Sequence, residues 1–186
     1  MLPINIKNKL ESKNMIEKLG INRLQETLFK GNEVSKVKEF LNNNEYKYYV
    51  IRDKINSSGN FLYKLTKTEV LKYVNDYELF SIAESSANFE EHRILGGDIW
   101  ITKDWEVIAS VDDDCSKSFR DCENNSKYNL RFSLLEGYEP NIIGLKSAIN
   151  YILKHELIDV VVEISVYDKP FGVNKENILI WEIRNY

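Results

Sequence analysis

Two runs near the end of this 186-residue chain limit its fold more than anything else in it. Asp159–Tyr167 (DVVVEISVY) and Asn177–Arg184 (NILIWEIR) are apolar, β-branched and of strand length. In a strand, alternate side chains share a face. Val160, Val162, Ile164 and Val166 then form one face, and Val161, Glu163, Ser165 and Tyr167 the other. In the last run Leu179, Trp181 and Ile183 form one face, with Ile180, Glu182 and Arg184 opposite. A turn centred between Gly172 and Val173 sets Glu163 directly across from Glu182, with Arg184 on the diagonal. Like charges so placed cost a few tenths to about 1 kcal/mol. Partial burial raises that cost unless a proton or a cation intervenes. The cation is either Arg184 or a divalent metal, for which paired carboxylates are suitable hard ligands. The plainer reading is a solvent-facing sheet side with an ordinary ion pair, and a bulge between Asp168 and Glu176 would move one glutamate to the other face.

The first ~43 residues read as helical by periodicity. Leu10, Met15, Ile16 and Leu19 make a stripe that stops at Gly20. Ile21, Leu24, Leu28 and Phe29 start another, ended by Gly31, and Asn32 is placed to cap a helix carrying Val34, Val37, Phe40 and Leu41. From Tyr48 the pattern turns to period two. Strands are expected at Tyr48–Arg52, Phe61–Leu65 and Leu79–Glu84, with a turn at Asn56–Asn60 and a capping box at Thr66 and Glu69. Asp98–Thr102 and Glu106–Val111 form a hairpin around Lys103-Asp104, residues 112–129 form the longest loop, and a helix runs from about Gly144 to His155. The expected class is α+β: a helical N-terminal segment over 1–47, then over 48–186 a mainly antiparallel sheet with covering helices.

The 25 basic and 29 acidic residues leave a net charge of -4. That balance argues against a general nucleic-acid binder, which needs a basic field to displace counterions. No apolar run approaches the roughly 20 residues that span a bilayer, and the opening MLPINIKNKLESKN lacks a signal-peptide core. Cys115 and Cys122 share one polar segment without a metal-binding partner cluster. A cytoplasmic chain, no membrane partner and no nucleic acid are the expectations.

Arg52 ends a strand before a Gly-containing turn, where it could grip phosphate together with backbone N–H groups; a surface pair with Asp53 or a neighbouring acid is the plainer alternative. Arg120, in Ser116-Lys117-Ser118-Phe119-Arg120, offers a second phosphate ligand from a loop, or simply a solvated one.

Taken together, DVVVEIS over 159–165 and IWEIR over 180–184 resemble the nucleotide-binding part of the ATP-grasp family. The likeness is nearest to the branch found in phosphoenolpyruvate synthase and pyruvate phosphate dikinase. There an acidic metal ligand ends one strand and a Gln-x-Arg element lies on a following one. The match runs over about residues 48–186, with Glu163 at the metal-ligand position and Glu182-x-Arg184 in place of Gln-x-Arg. YVIR over 49–52, followed by Ser57-Ser58-Gly59, is similar to the family's phosphate-binding strand and small-residue loop. FSIAE over 80–84 is similar to its adenine-holding hinge strand, with Glu84 at the polar hinge position. The chain departs from the family in its small size, in having no histidine swivelling domain, and in lacking a clear lysine-bearing small-domain strand, for which Lys64 is a substitute.

The resemblance implies ATP and Mg2+ as cofactors and phosphotransfer or ATP-dependent ligation as the activity. Glu163 and Glu182 would hold the metal, and Arg52 and Arg184 would serve catalysis. Arg52, Ser58, Gly59, Lys64, Glu84, Arg120 and Arg184 would bind the nucleotide. The rival expectation is a non-enzymatic regulatory protein, with or without a vestigial nucleotide pocket, that engages a protein partner, or a second copy of itself, through residues 1–43.

Overall fold

The computed structural model of the chain describes residue 6 and residues 8–55, 61–114, 126–137 and 140–186. They divide into two compact units, one formed by Met1–Arg23 with Glu91–Tyr186 and the other by Leu24–Glu90. Each is an antiparallel sheet with helices against one face, so the α+β expectation holds.

Helix α1 (Lys9–Lys18) starts at Asn8, whose side chain accepts the Glu11 N–H at 3.0 Å, and Gly20 follows it at φ +63. The second stripe does not continue as helix. Glu26–Lys30 is strand β1, in which Phe29 is buried while Leu28 beside it is exposed. Long-range pairing overrides the local pattern, because β1 lies against β4 (Leu79–Glu84) along its whole length, from Glu26↔Ala83 to Lys30↔Leu79. Helix α2 (Val34–Asn43) begins after Glu33 rather than Asn32.

In the Leu24–Glu90 unit the sheet order is β1-β4-β2-β3, with β2 at Tyr49–Asp53 and β3 at Phe61–Leu65. Helix α3 (Lys67–Tyr73) carries the expected capping box. The Thr66 N–H donates to Glu69 Oε2 at 2.8 Å, and the Glu69 N–H donates to Thr66 Oγ1 at 3.4 Å. Val37 and Leu41 of α2, with Val70 of α3, pack on Phe29, Ile51, Phe80 and Ile82. Strand β3 holds one residue more than β2 between the pairs Tyr49↔Leu65 and Ile51↔Leu62, and Lys64 takes up this bulge at φ +59.

The other unit has a five-stranded sheet in the order β7-β6-β5-β8-β9. Its strands are β5 (Arg93–Ile101), β6 (Glu106–Asp112), β7 (Tyr128–Ser133), β8 (Val161–Phe171) and β9 (Glu176–Arg184). Strand β7 begins at the end of the stretch read as a loop; it pairs with β6 from Glu106↔Ser133 to Val111↔Tyr128. Gly97 sits at φ +147, where a Cβ would lie 2.2 Å from the Ser110 carbonyl oxygen, so only glycine lets β5 and β6 approach there. One sheet face, with Ile99, Val107, Val162, Ile164, Ile180 and Ile183, packs on Ile16 of α1 and on Ala148, Ile149 and Ile152 of α4 (Leu145–Lys154).

Asn22 ties this unit to its last hairpin. The fully buried side chain donates to the carbonyls of Phe171 (2.9 Å), Glu176 (3.3 Å) and Ile178 (2.7 Å), and accepts the Asn174 N–H at 2.9 Å. Its backbone N–H reaches Tyr151 Oη at 3.0 Å, and its carbonyl accepts the Ile180 N–H at 3.1 Å. Gly172 turns the hairpin at φ +76, where a Cβ would come within 2.5 Å of Asn22 Oδ1.

Candidate functional site

The face of the five-stranded sheet opposite to the one that packs on Ile16 of α1 and on α4 carries a polar row. Register alone lines up Asn129 with Ser110, Ser110 with Asp98, Asp98 with Glu163, and Glu163 with Glu182, across β7, β6, β5, β8 and β9. Glu163 does face Glu182, and Arg184 lies diagonally, opposite Val161.

Two irregularities produce this register. The stretch between Val166 and Phe171 is longer on β8 than on β9, and β9 then carries one extra residue, Trp181, between the pairs Ile164↔Ile180 and Glu163↔Glu182. The expected alternation along β9 is therefore corrected at Ile180. It joins Ile178 and Ile183 in the core instead of sharing a face with Glu182 and Arg184. The turned Ile183 N–H donates to Ser12 Oγ of α1 at 2.7 Å, and Trp181 Nε1 donates to Ser165 Oγ at 3.0 Å.

Three carboxylates thus stand side by side on three adjacent strands, about a quarter exposed or less: Asp98 23%, Glu163 24% and Glu182 21%. Arg184 forms an ion pair with Asp98 and brings Nη1 to 3.9 Å from Glu163 Oε2, while Lys9 of α1 places Nζ 3.5 Å from Glu182 Oε2. Burial, then the charges of Asp98 and Glu182, push the Glu163 carboxyl up to about 7, against the opposing pull of Arg184 and Lys9. For Arg184, burial disfavours the charged form, but the three acids outweigh it and hold the guanidinium above its ordinary value.

Asp98 and Lys9 are the members of this group that sequence reasoning misses. Asp98 reads as the first residue of a strand, whereas β5 begins at Arg93 and carries it mid-strand. The available signal was a lone acid inside ILGGDIWI, two residues from Trp100, resembling the way Glu163 and Glu182 interrupt their own strands.

Arg52, Lys64 and Glu84 belong to the other unit. Arg52 forms an ion pair with Glu26 of β1. Lys64 Nζ lies 5.4 Å from the Tyr48 ring centroid, and Glu84 Oε1 accepts from Asn88 Nδ2 at 3.2 Å. Arg52 pairs with Ser81 and Glu84 with Tyr49, so Arg52 and Glu84 leave the sheet on opposite faces. Ser58, Gly59 and Arg120, like both cysteines, lie outside the described residues. Among the described residues no group of three or more His, Cys, Asp and Glu side chains is arranged to hold a metal, and no helix is long and apolar enough to cross a membrane.

No protein-family model and no curated protein sequence matches the chain. Solved structures do match. D-alanyl-alanine synthetase A from Vibrio cholerae is 9% identical with a TM-score of 0.50, over 96% of this chain and 55% of that one. D-alanine-D-alanine ligase from Helicobacter pylori is 19% identical with a TM-score of 0.50, over 95% and 53%. N5-carboxyaminoimidazole synthase from Aspergillus clavatus, solved with ADP and 5-aminoimidazole ribonucleotide, is 14% identical with a TM-score of 0.54, over 96% and 44%. The architecture shared with these proteins is the ATP-grasp fold. The chain spans about half the length of the structures it matches, and they do not single out the phosphoenolpyruvate synthase and pyruvate phosphate dikinase branch.

Proposed function

We propose that this chain binds a nucleoside triphosphate with Mg2+ and uses it for phosphoryl transfer or ATP-dependent ligation. The observation that carries the reading is the pairing of Glu163 with Glu182 on one face of an ATP-grasp sheet, with Arg184 beside them. Matched structures solved with ADP or ATP support it.

The donor set fits one hard divalent ion. Mg2+ commonly takes one or two protein carboxylates and completes its octahedron with phosphate oxygens and water, so two glutamates suffice without a third protein ligand. An ion there would also relieve the repulsion that raises Glu163. When bound, it neutralises charge on the transferring phosphoryl group. The rest falls to the chain's own side chains. Arg184 would grip phosphate oxygens beside the paired glutamates; Arg52, Ser58, Gly59, Lys64 and Arg120 are proposed as nucleotide contacts in their own right, and Glu84, on the sheet face opposite to Arg52, would not meet the same phosphates. Such catalysis works by positioning and charge neutralisation, and a carboxylate acceptor would leave as an acyl phosphate with release of ADP. Kinship with the phosphoenolpyruvate synthase branch and a cytoplasmic location belong to the same reading.

A second reading keeps the nucleotide pocket without turnover, as a sensor. It is favoured by Arg184 and Lys9, which already compensate part of the acidic row. The rival use of residues 1–43 as a partner surface would fall to exposed Leu10, Leu19 and Leu28, since Ile16, Val37 and Leu41 are buried in their own units.

Calorimetric titration with Mg-ATP tests the proposal. Wild type is expected to bind, and Glu163→Ala to lose affinity by about tenfold or more, as removal of one charged ligand implies. No heat of binding at millimolar nucleotide would refute the reading. Binding without ADP release would select the sensor.

A further inference from the structure

The five-stranded sheet ends on β9 at one edge and on β7 at the other. The β9 edge is covered, since its Ile180 N–H donates to the Asn22 carbonyl and its Ile183 N–H to Ser12 Oγ. The β7 edge is different. The Leu134 N–H donates to the Trp105 carbonyl at 2.9 Å, and this bond fixes the phase of β7 against β6. Bonded pairs alternate with non-bonded ones along an antiparallel ladder. Phe132, Leu130 and Tyr128 therefore bond inward to Val107, Ala109 and Val111, while the N–H and C=O groups of Asn129 and Arg131 point outward. Both residues are exposed, and among the described residues no group bonds to those outward backbone atoms.

Edge strands are commonly protected by a bulge, a proline or a charge that discourages pairing. Strand β7 keeps an unbroken register with β6 over six pairs and contains no proline. Its one charged residue, Arg131, is matched by Glu106 of β6 at 2.7 Å. On the core face, Tyr128 and Leu130 are only partly buried where the sheet stops. One more strand beside β7 would complete both the ladder and that burial.

The side chains of β7 say which strand. In a twofold antiparallel pair that continues the sheet, the residue on the axis faces its own copy, and side chains that meet share a face. With Leu130 on the axis, Leu130 meets Leu130, Tyr128 meets Phe132, and Asn129 meets Arg131 of the second copy. The apolar partners all fall on the core face, and no like charges meet. The phase agrees too. Outward-pointing Asn129 and Arg131 are the residues that pair, so each of the two equivalent pairs exchanges two backbone hydrogen bonds. Neighbouring choices fail. An axis on Arg131 sets two arginines face to face, and one on Asn129 sets Arg131 opposite Lys127.

We propose that β7 is a self-association edge: it pairs with β7 of a second copy about an axis through Leu130 and joins the two sheets into one. The seam lies on β7 and not within residues 1–43, and it stands independently of the Mg-ATP reading. A contact through one short strand is at the small end of protein interfaces, so the dimer is weak.

Sedimentation velocity of the full chain between about 10 and 500 µM tests this. Wild type is expected to move from monomer towards dimer over that range. Across the same range the Asn129 and Arg131 amides should exchange more slowly, while those of β5 keep their rates. Arg131→Pro removes an outward N–H without touching the bonds to β6, and is expected to stay monomeric. Two substitutions at exposed Asn129 read the register. Asn129→Glu sets an acid opposite Arg131 of the second copy and should tighten the dimer about fivefold, whereas Asn129→Arg should loosen it by about as much. A wild type still monomeric at about 500 µM overturns the proposal. So does a dimer that Arg131→Pro leaves intact, or one that both Asn129 variants shift in the same direction. Should Arg131→Pro fail to fold, the opposed shifts of the Asn129 variants decide by themselves.

Discussion

Replacing Arg184 by methionine is expected to destabilise the chain by about 2–4 kcal/mol at neutral pH, and progressively less as the pH falls. Removing one partner of a largely buried ionic group costs about 3–5 kcal/mol. The lower figure allows for the one-third exposure of Arg184 and for Lys9, which keeps its contact with Glu182. What remains is three adjacent acids with one exposed lysine, and the strain stays only while they are charged.

The sign of the pH dependence follows from Glu163. Its carboxyl is raised to about 7 in the fold, from an ordinary value of 4.5. Between those values the native state holds a proton that the unfolded chain has lost. The stability this group contributes is therefore complete below about pH 4.5 and is lost as the pH rises through about 7, up to about 3 kcal/mol. Without Arg184 the carboxyl rises further, so the deficit of Arg184→Met against wild type should grow from pH 5 to pH 8. Adding Glu163→Gln removes the titrating group and most of that slope. Urea unfolding of the three proteins at pH 5, 6, 7 and 8 measures it, and a deficit independent of pH would mean that Arg184 acts by packing alone.

Asn22→Ala should cost about 3 kcal/mol through a different cause. The substitution strands the carbonyls of Phe171, Glu176 and Ile178 and the N–H of Asn174, all of which meet the Asn22 side chain. The bond to Ile178 is buried and the other three are half-buried, so each counts for about 0.5–1.5 kcal/mol. Hydrogen exchange localises the effect. The Val173 amide, bonded to the Arg23 carbonyl at 2.8 Å, and the Asn174 amide should lose protection before the amides of β5 and β6. Uniform loss across the sheet would show that Asn22 supports the whole unit and not just the hairpin. An effect on the Glu163–Glu182 pairing follows, because that turn sets the register of β8 against β9.

Much of this was legible in the chain, for reasons of period and composition. The period-two apolarity of 160–166 marked the core face of β8, and Thr66 with Glu69 marked the start of α3 through local hydrogen bonding alone. The facing glutamates were also legible, but by compensation. The turn is not symmetric as drawn, and the surplus residues between Val166 and Phe171 are offset in part by Trp181. Bulges like these depend on tertiary fit, which no alternation pattern encodes. Strand β1 was hidden because Ile21, Leu24, Leu28 and Phe29 satisfy helical spacing, and only pairing with β4 decides otherwise. Asp98 was hidden by the adjacent glycines, which look like a break but serve close strand approach. Glu26 could not be found at all, since its partners lie 26 to 55 positions away.

The docking of α1 also bears on synthesis. Ser12 bonds to Ile183 across 171 positions, and Ile16 joins a core that includes Ile180 and Ile183. During synthesis α1 is therefore made well before its landing strand. The contiguous stretch 24–90 can collapse meanwhile, leaving the nascent helix to wait exposed until β9 has followed it off the ribosome.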